Sequence, residues 1–203
     1  MCGVVGFYCE QPNEGHIDLL SKIINQSQIR GLHSFGYTYK DENLQTVKQH
    51  DITDINFPLA NKIIYHNRYS TSGDYKDHEN NQPIHIDDIS LVFNGVLDMG
   101  TKKEIEQRYD IQMYTDNDGE IVIKKCGKDK HKIQEFIATT KGSFAGLILT
   151  SSNELYVIRN ANRPLWRLEH NNAVYFASTR DIFKRADKTL EPEELEPNVL
   201  YEY

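Results

Sequence analysis

Apolar positions along the chain fall into short blocks of two different periods. Residues 3–8, "GVVGFY", form a β-branched and aromatic run with no charged member, which predicts a buried strand. Asn13 is placed to cap a helix that follows. In it Ile17, Leu20 and Ile24 recur at helical spacing, Leu19 and Ile23 widen the stripe, and Gly31 stops it. "FGYTYK" then alternates with period two, breaks at "DEN" and resumes as "LQTVKQH", the pattern of a hairpin. Strands are predicted over 61–69 ("NKIIYHNRY") and 89–97 ("ISLVFNGVL"), with the long polar stretch 73–83 between them. "TKKEIEQRY" reads as a short helix, Thr101 and Glu104 supplying a capping box. Two helical stretches follow, roughly 118–126 and 129–141. "SFAGLILT", "ELYVIRN" and "NAVYFAS" are strands, "TRDIFKRA" is a short helix and "NVLYEY" a final strand. Clusters of strands alternate with clusters of helices, without a strict strand–helix rhythm. That order predicts two mostly antiparallel sheets with helices outside them.

Composition narrows the function classes. At 203 residues the chain is expected to form one domain, 1–203, large enough for a substantial core. With 38% hydrophobic and 26% charged residues it reads as globular. A formal net charge of −7 argues against a nucleic-acid partner. The one basic run, "KKCGKDKHK", includes Asp129 and reads as a solvated helix surface. No apolar stretch is long enough to span a membrane, and no basic segment leads into an apolar one at the start, so neither a membrane nor a secretory signal is expected. Cys2, Cys9 and Cys126 are an odd set without a CxxC pair, which favours a reducing, cytoplasmic setting. His78 and His85 lack ligand spacing, so no metal is expected.

Four segments put polar residues at strand ends or beside glycine: "MCG", "YHNRYSTSG", "FNGVL" and "TDNDGE". Together they resemble the glutaminase domain of the class II glutamine amidotransferases, N-terminal-nucleophile hydrolases that include glucosamine-6-phosphate synthase and amidophosphoribosyltransferase. The resemblance is carried by Cys2-Gly3 behind Met1, by "HNRYSTSG" from His66 to Gly73, and by Asn80-Asn81-Gln82-Pro83. Asn94-Gly95 at a strand end and Asp118-Gly119-Glu120-Ile121 complete it. "RGLHSFG" at 30–36, "NRPL" at 162–165 and "FASTRDIF" are weaker echoes, so the likeness runs from residue 2 to about residue 200. It implies an α+β fold, the four-layer αββα sandwich of two mostly antiparallel sheets. It leaves no residues for a synthase domain.

The chemistry implied is cleavage of the side-chain amide of L-glutamine, without a cofactor, through a thioester on Cys2. A thiol is only partly ionised near neutral pH, but an α-amine of pKa about 8 can take its proton locally. Cys2 carries both groups once Met1 is removed. By resemblance, the Asn94 side-chain amide and the Gly95 N–H form the oxyanion hole, and a side chain at Gly95 is expected to block the substrate. Arg68 holds the α-carboxylate, Asp118 the α-ammonium, and Tyr69 and Thr71 complete the carboxylate contacts and the wall. Ammonia would pass to a separate synthase or amidating protein.

Each residue also has a structural alternative. Cys2 reads equally as a strand residue, Arg68 as a surface ion-pair partner, Asn94-Gly95 as a type I′ turn and Asp118 as a helix N-cap. Asp116 stands close enough to replace Asp118. His66 reads better as a packed, hydrogen-bonded core residue than as a base, and Cys9 and Cys126 as structural thiols. Two further function classes stay open: a glutamine-binding or docking module without turnover, and an amidase of the same fold acting on another amide. Ser72, His33, Asn160 and Asn162 depart from the family pattern, His33 standing where an acidic residue is common.

Overall fold

A computed structural model describes residues 2–50, 55–69 and 74–203. Its larger sheet holds β1 (Gly3–Tyr8), β2 (Ser34–Lys40), β3 (Leu44–Gln49), β4 (Lys62–Arg68), β9 (Trp166–His170), β10 (Ala173–Ala177) and β11 (Glu193–Glu194), in the order β11-β9-β10-β1-β4-β2-β3. The smaller holds β5 (Ile84–Ile86), β6 (Ile89–Val96), β7 (Ser143–Thr150), β8 (Leu155–Arg159) and β12 (Tyr201–Glu202), in the order β12-β8-β7-β6-β5. Every pairing between them is antiparallel.

Three apolar layers explain the stacking. Val4, Ile64, Val92, Leu147, Val157 and Phe176 fill the space between the sheets. On the outer face of the larger sheet Val5, Phe7, Ile63 and Tyr175 pack under Leu20, Ile23 and Ile24 of α1 (Glu14–Ser27) and Ile182 and Phe183 of α5 (Arg180–Ala186). On the outer face of the smaller sheet Leu91, Phe93 and Ile148 pack under α3 (Glu120–Cys126) and α4 (Lys130–Thr139). The fold is therefore α+β in four layers, αββα. Successive residues of β1 enter different cores, Val4 inward and Val5 outward. That is why its sequence shows no alternation.

Local chemistry sets the helix ends. Asn13 and His16 form a capping box at α1, with the His16 N–H donating to Asn13 Oδ1 at 3.1 Å. The expected Thr101–Glu104 box opens α2 (Lys102–Tyr109). Asp129 caps α4 by accepting from the His131 and Lys132 N–H groups. α1 ends four residues before Gly31, and a short 3-10 turn, Gln28–Arg30, intervenes. Gly31 is needed for closeness, not handedness. A Cβ there would lie 2.4 Å from the Arg68 carbonyl carbon and 2.5 Å from the Tyr69 nitrogen. The packed turn brings residues 30–33 against the end of β4. Strands β5, β9 and β11 were not predicted; β5 is three residues long, and β9 buries fully only Leu168.

Candidate active site

Cys2 sits at the entry to β1, and the register Gly3↔Asn67 brings it to the end of β4, where Arg68 lies. Gly3 is dictated by that neighbour, since a Cβ would lie 2.2 Å from Asn67 Oδ1. Asn67, fully buried, holds the end of α1 and the loop beyond it. Its Nδ2 donates to the Ser27 and Gly31 carbonyls at 3.0 and 3.1 Å, and its Oδ1 accepts from Ser27 Oγ at 2.9 Å. That placement lets Arg30 Nε donate to the Cys2 carbonyl at 2.8 Å. The Cys2 thiol is half-buried and donates to the Tyr69 carbonyl at 3.6 Å. Burial pushes its pKa above the ordinary value, against the pull of backbone hydrogen bonding at Tyr69 and of the charges on Arg68 and Arg30.

Strand alternation puts three expected side chains in one space. Cys2 shares its face of β1 with Val4, Arg68 and His66 share theirs with Ile64, and Asn94 shares its face with Val92; all point between the sheets. A cavity of about 350 Å³, counting its open mouth, is lined by Cys2, Arg68, Tyr69, Gln82, Phe93, Gly95, Asn117 and Asp118. Asn94 stands between two of these lining residues. It is 4% exposed, and its Nδ2 is buried with no hydrogen-bond partner among the described residues. A buried, unspent amide donor is uncommon and calls for a reason.

Asn94 and Gly95 lie inside β6, paired with Ala145 and Phe144, and so are not a hairpin turn. Gly95 is required by a different neighbour than expected. Its Cβ would meet the Ser143 carbonyl at 2.3 Å and the Phe144 Cα at 2.8 Å, so close packing on β7 demands glycine there. The edge of β6 away from β7 has its own logic. Leu91 pairs with Ile84 of β5, and Phe93, two residues on, gives its N–H and C=O to the Gln82 side-chain amide. By the same alternation the Gly95 N–H lies on that edge, beyond both β5 and Gln82, at the cavity.

Arg68 is 4% exposed, and its Nη1 donates to Asn81 Oδ1 at 2.5 Å. It is no surface ion-pair partner. Asp118 is half-buried, with Oδ2 accepting from the Leu97 and Asp98 N–H groups at 2.6 and 3.2 Å. Burial raises its pKa, those two donors oppose the rise, and the nearby Asp98 adds to it. It does not cap a helix, because Gly119 occupies the N-cap of α3 without a side-chain bond. Asp116 is exposed and is not a lining residue. Glu120 shapes this loop, its buried carboxylate accepting from the Tyr114 and Thr115 N–H groups at 2.8 Å each. Tyr69 contributes wall and carbonyl. Thr71, with Ser70, Ser72 and Gly73, lies outside the described residues.

Several residues with no role assigned from sequence prove to be the struts. Asn81 aims Arg68, Gln82 terminates the edge of β6, and Asn80 Oδ1 accepts from the Asp116 N–H at 2.9 Å, tying in the loop that carries Asp118. Arg30 holds the Cys2 backbone, and Asn67 holds the turn that carries Arg30. Their motifs were visible, but contacts across 11 to 40 residues are not. Larger hollows exist beside Gln28–His33 and around Cys9 and His16, neither uniting a thiol with side chains of both charges; a third does bring Cys126 together with Lys125, Lys132 and Glu135, but that thiol is buried and burial holds its pKa well above the ordinary value. Cys9 and Cys126 are buried.

His66 is 1% exposed, and neither ring nitrogen makes a well-aligned hydrogen bond among the described residues. Burial, reinforced by the Arg68 charge, drives its pKa down to about 3, the Phe93 backbone opposing weakly. It stays neutral near pH 7, a core residue and not a base. The unfolded chain, with an ordinary histidine pKa near 6.5, binds the proton more readily, so stability is full above that value and falls as pH drops toward 3. Urea melts are expected to lose about 2 kcal/mol between pH 7 and 5 through this residue, a loss absent from the slope of His66→Gln.

The sequence model of a glutamine amidotransferase domain matches residues 66–185, a span holding Arg68, Asn94 and Asp118. No curated protein sequence matches the chain. Among solved structures, it is similar to a glutamine phosphoribosylpyrophosphate (PRPP) amidotransferase from B. subtilis complexed with ADP and GMP. The TM-score is 0.75 at 21% identity, over 100% of this chain and 49% of that one. It is equally similar, at 0.75 and 23% identity, to a structure described as the allosteric regulatory enzyme of purine biosynthesis, over 97% of this chain and 45% of the other. The chain thus spans about half the length of these relatives, and at such identities the likeness is one of fold.

Proposed function

The chain belongs to the glutamine amidotransferase domain family, and from that premise we propose that it hydrolyses L-glutamine to glutamate and ammonia, with Cys2 as nucleophile and residues 1–203 as one glutaminase domain. The observation that carries this reading is a single cavity lined by the Cys2 thiol, the Arg68 cation, the Asp118 anion and the Gly95 backbone. Removal of Met1 gives Cys2 a free α-amine. The thiol proton passes to that amine as Sγ attacks the side-chain carbonyl carbon. Negative charge then develops on the former carbonyl oxygen, where the Asn94 amide and the Gly95 N–H stabilise it. Collapse breaks the C–N bond, the nitrogen leaves as ammonia with the proton returned from the amine, and a γ-glutamyl thioester remains. Water, deprotonated by the same amine, cleaves the thioester to glutamate and restores the thiol.

Substrate choice follows from charge. A free amino acid presents one carboxylate and one ammonium, and Arg68 and Asp118 line the same cavity to receive them, with Tyr69 in the same wall. Blocking either end of the substrate leaves a half-buried charge without its partner, which is costly. The ammonia is proposed to pass to a separate synthase or amidating protein. No helix among the described residues is long and apolar enough to cross a membrane.

The test is ammonia release from L-glutamine, L-asparagine, N-acetyl-L-glutamine and L-glutamine α-methyl ester, and aniline release from a γ-glutamyl anilide, with the N-terminus read by mass spectrometry. Glutamine is expected to exceed asparagine and the N-acetyl compound by about 10² or more in kcat/KM, on protein lacking Met1. An equal rate from N-acetyl-L-glutamine would remove Asp118 from the reading, and an equal rate from L-glutamine α-methyl ester would remove Arg68. Tight glutamine binding without turnover would leave a binding module.

A further inference from the structure

Where the loop 31–33 meets the end of β4, the His33 ring lies between two tyrosines. Its centroid is 5.1 Å from that of Tyr69 and 4.9 Å from that of Tyr75, with ring planes 25° and 23° from parallel. Its backbone N–H donates to the Arg68 carbonyl at 3.0 Å. Each tyrosine is tied to a different part of the cavity. Tyr69 lines it, and its carbonyl receives the Cys2 thiol. The Tyr75 carbonyl accepts from Asn81 Nδ2 at 2.7 Å, and Asn81 Oδ1 accepts from Arg68. One imidazole therefore joins the wall beside the nucleophile to the strut that aims the guanidinium.

We infer that His33 is a positioning residue for the amino-acid head of the substrate: by stacking between Tyr69 and Tyr75 it holds the Arg68 side of the cavity in its binding arrangement. This rests on the function proposed above. His33 does not itself line the cavity, so its effect falls on binding and not on the bond-breaking step. With its plane 25° and 23° from those of Tyr69 and Tyr75, the His33 ring contacts both tyrosines through its faces, which an aliphatic or carboxylate side chain does not offer.

The test compares wild type, His33→Ala, His33→Phe and Tyr75→Leu. His33→Ala is expected to raise KM for L-glutamine about 10-fold with kcat within about two-fold, since two ring contacts are lost. His33→Phe is expected to return KM to within about three-fold of wild type, and Tyr75→Leu to raise it as His33→Ala does. The Kd of L-glutamate, measured by calorimetry, should move in parallel and needs no turnover. Wild-type KM and Kd in both His33→Ala and Tyr75→Leu overturn the inference, as does a His33→Phe variant no better than His33→Ala. If His33→Ala melts below the assay temperature, Tyr75→Leu and His33→Phe decide by the same readouts. A wild-type protein without Cys2-dependent ammonia release sinks the proposed function instead, while the glutamate Kd series still judges His33.

Discussion

Cys2→Ala is expected to lower glutamine turnover by about 10⁴-fold or more, to the level of background hydrolysis, with L-glutamate binding retained. The size of the effect follows from the reaction. Without Sγ no thioester forms, and the remaining groups offer only binding and oxyanion stabilisation to an attacking water. The structural cost should be small. The thiol is half-buried, its one hydrogen bond among the described residues is a long one to the Tyr69 carbonyl, and the backbone of the residue is held independently by Arg30. Alanine is also small enough for initiator removal, so the α-amine is kept while the sulfur is lost. Ammonia release, glutamate calorimetry and a melting curve on the two proteins separate the contributions. Turnover equal to wild type ends the nucleophile assignment, whatever the family.

Much of this site was legible from residue order. The capping box at Thr101, the strand in 89–97 and the four-layer architecture came from pattern or from motifs in register, because each is a short-range demand. What the sequence hid was set by distant neighbours. Asn94-Gly95 reads as a turn in isolation and is a strand in place, since β7 supplies the partner that overrides the local preference. Gly95 has a reason in the fold that no sequence pattern showed: the Ser143 carbonyl, 48 residues away in sequence, leaves no room for a side chain. Asp118 resembled a cap and instead bonds back to the backbone at Leu97 and Asp98. The struts Asn67, Asn81 and Gln82 act through side-chain amides on backbone or on other side chains. Such bonds leave no periodic trace in a sequence, and only the fold brings their partners together.

The second large effect is expected at Asn94. Asn94→Ala should lower kcat by about 10² to 10³-fold with KM little changed, because the lost donor acts on charge that exists only in the transition state. Stability makes this variant informative. For an ordinary buried asparagine, truncation removes hydrogen bonds and destabilises. Here Nδ2 is buried without a partner among the described residues, and such a group already costs the native state about 1–3 kcal/mol. Removing it relieves that cost while leaving a small void, so the melting temperature should hold or rise as activity falls. Asn94→Asp keeps the volume but turns a donor into an acceptor facing the developing oxyanion, and should be at least as inactive. A marked drop in melting temperature with kcat preserved would mean that the amide is spent on the fold and that the oxyanion is stabilised elsewhere. The inverse pattern, lost rate with retained stability, is what an amide kept unsatisfied for a charge not yet formed must produce.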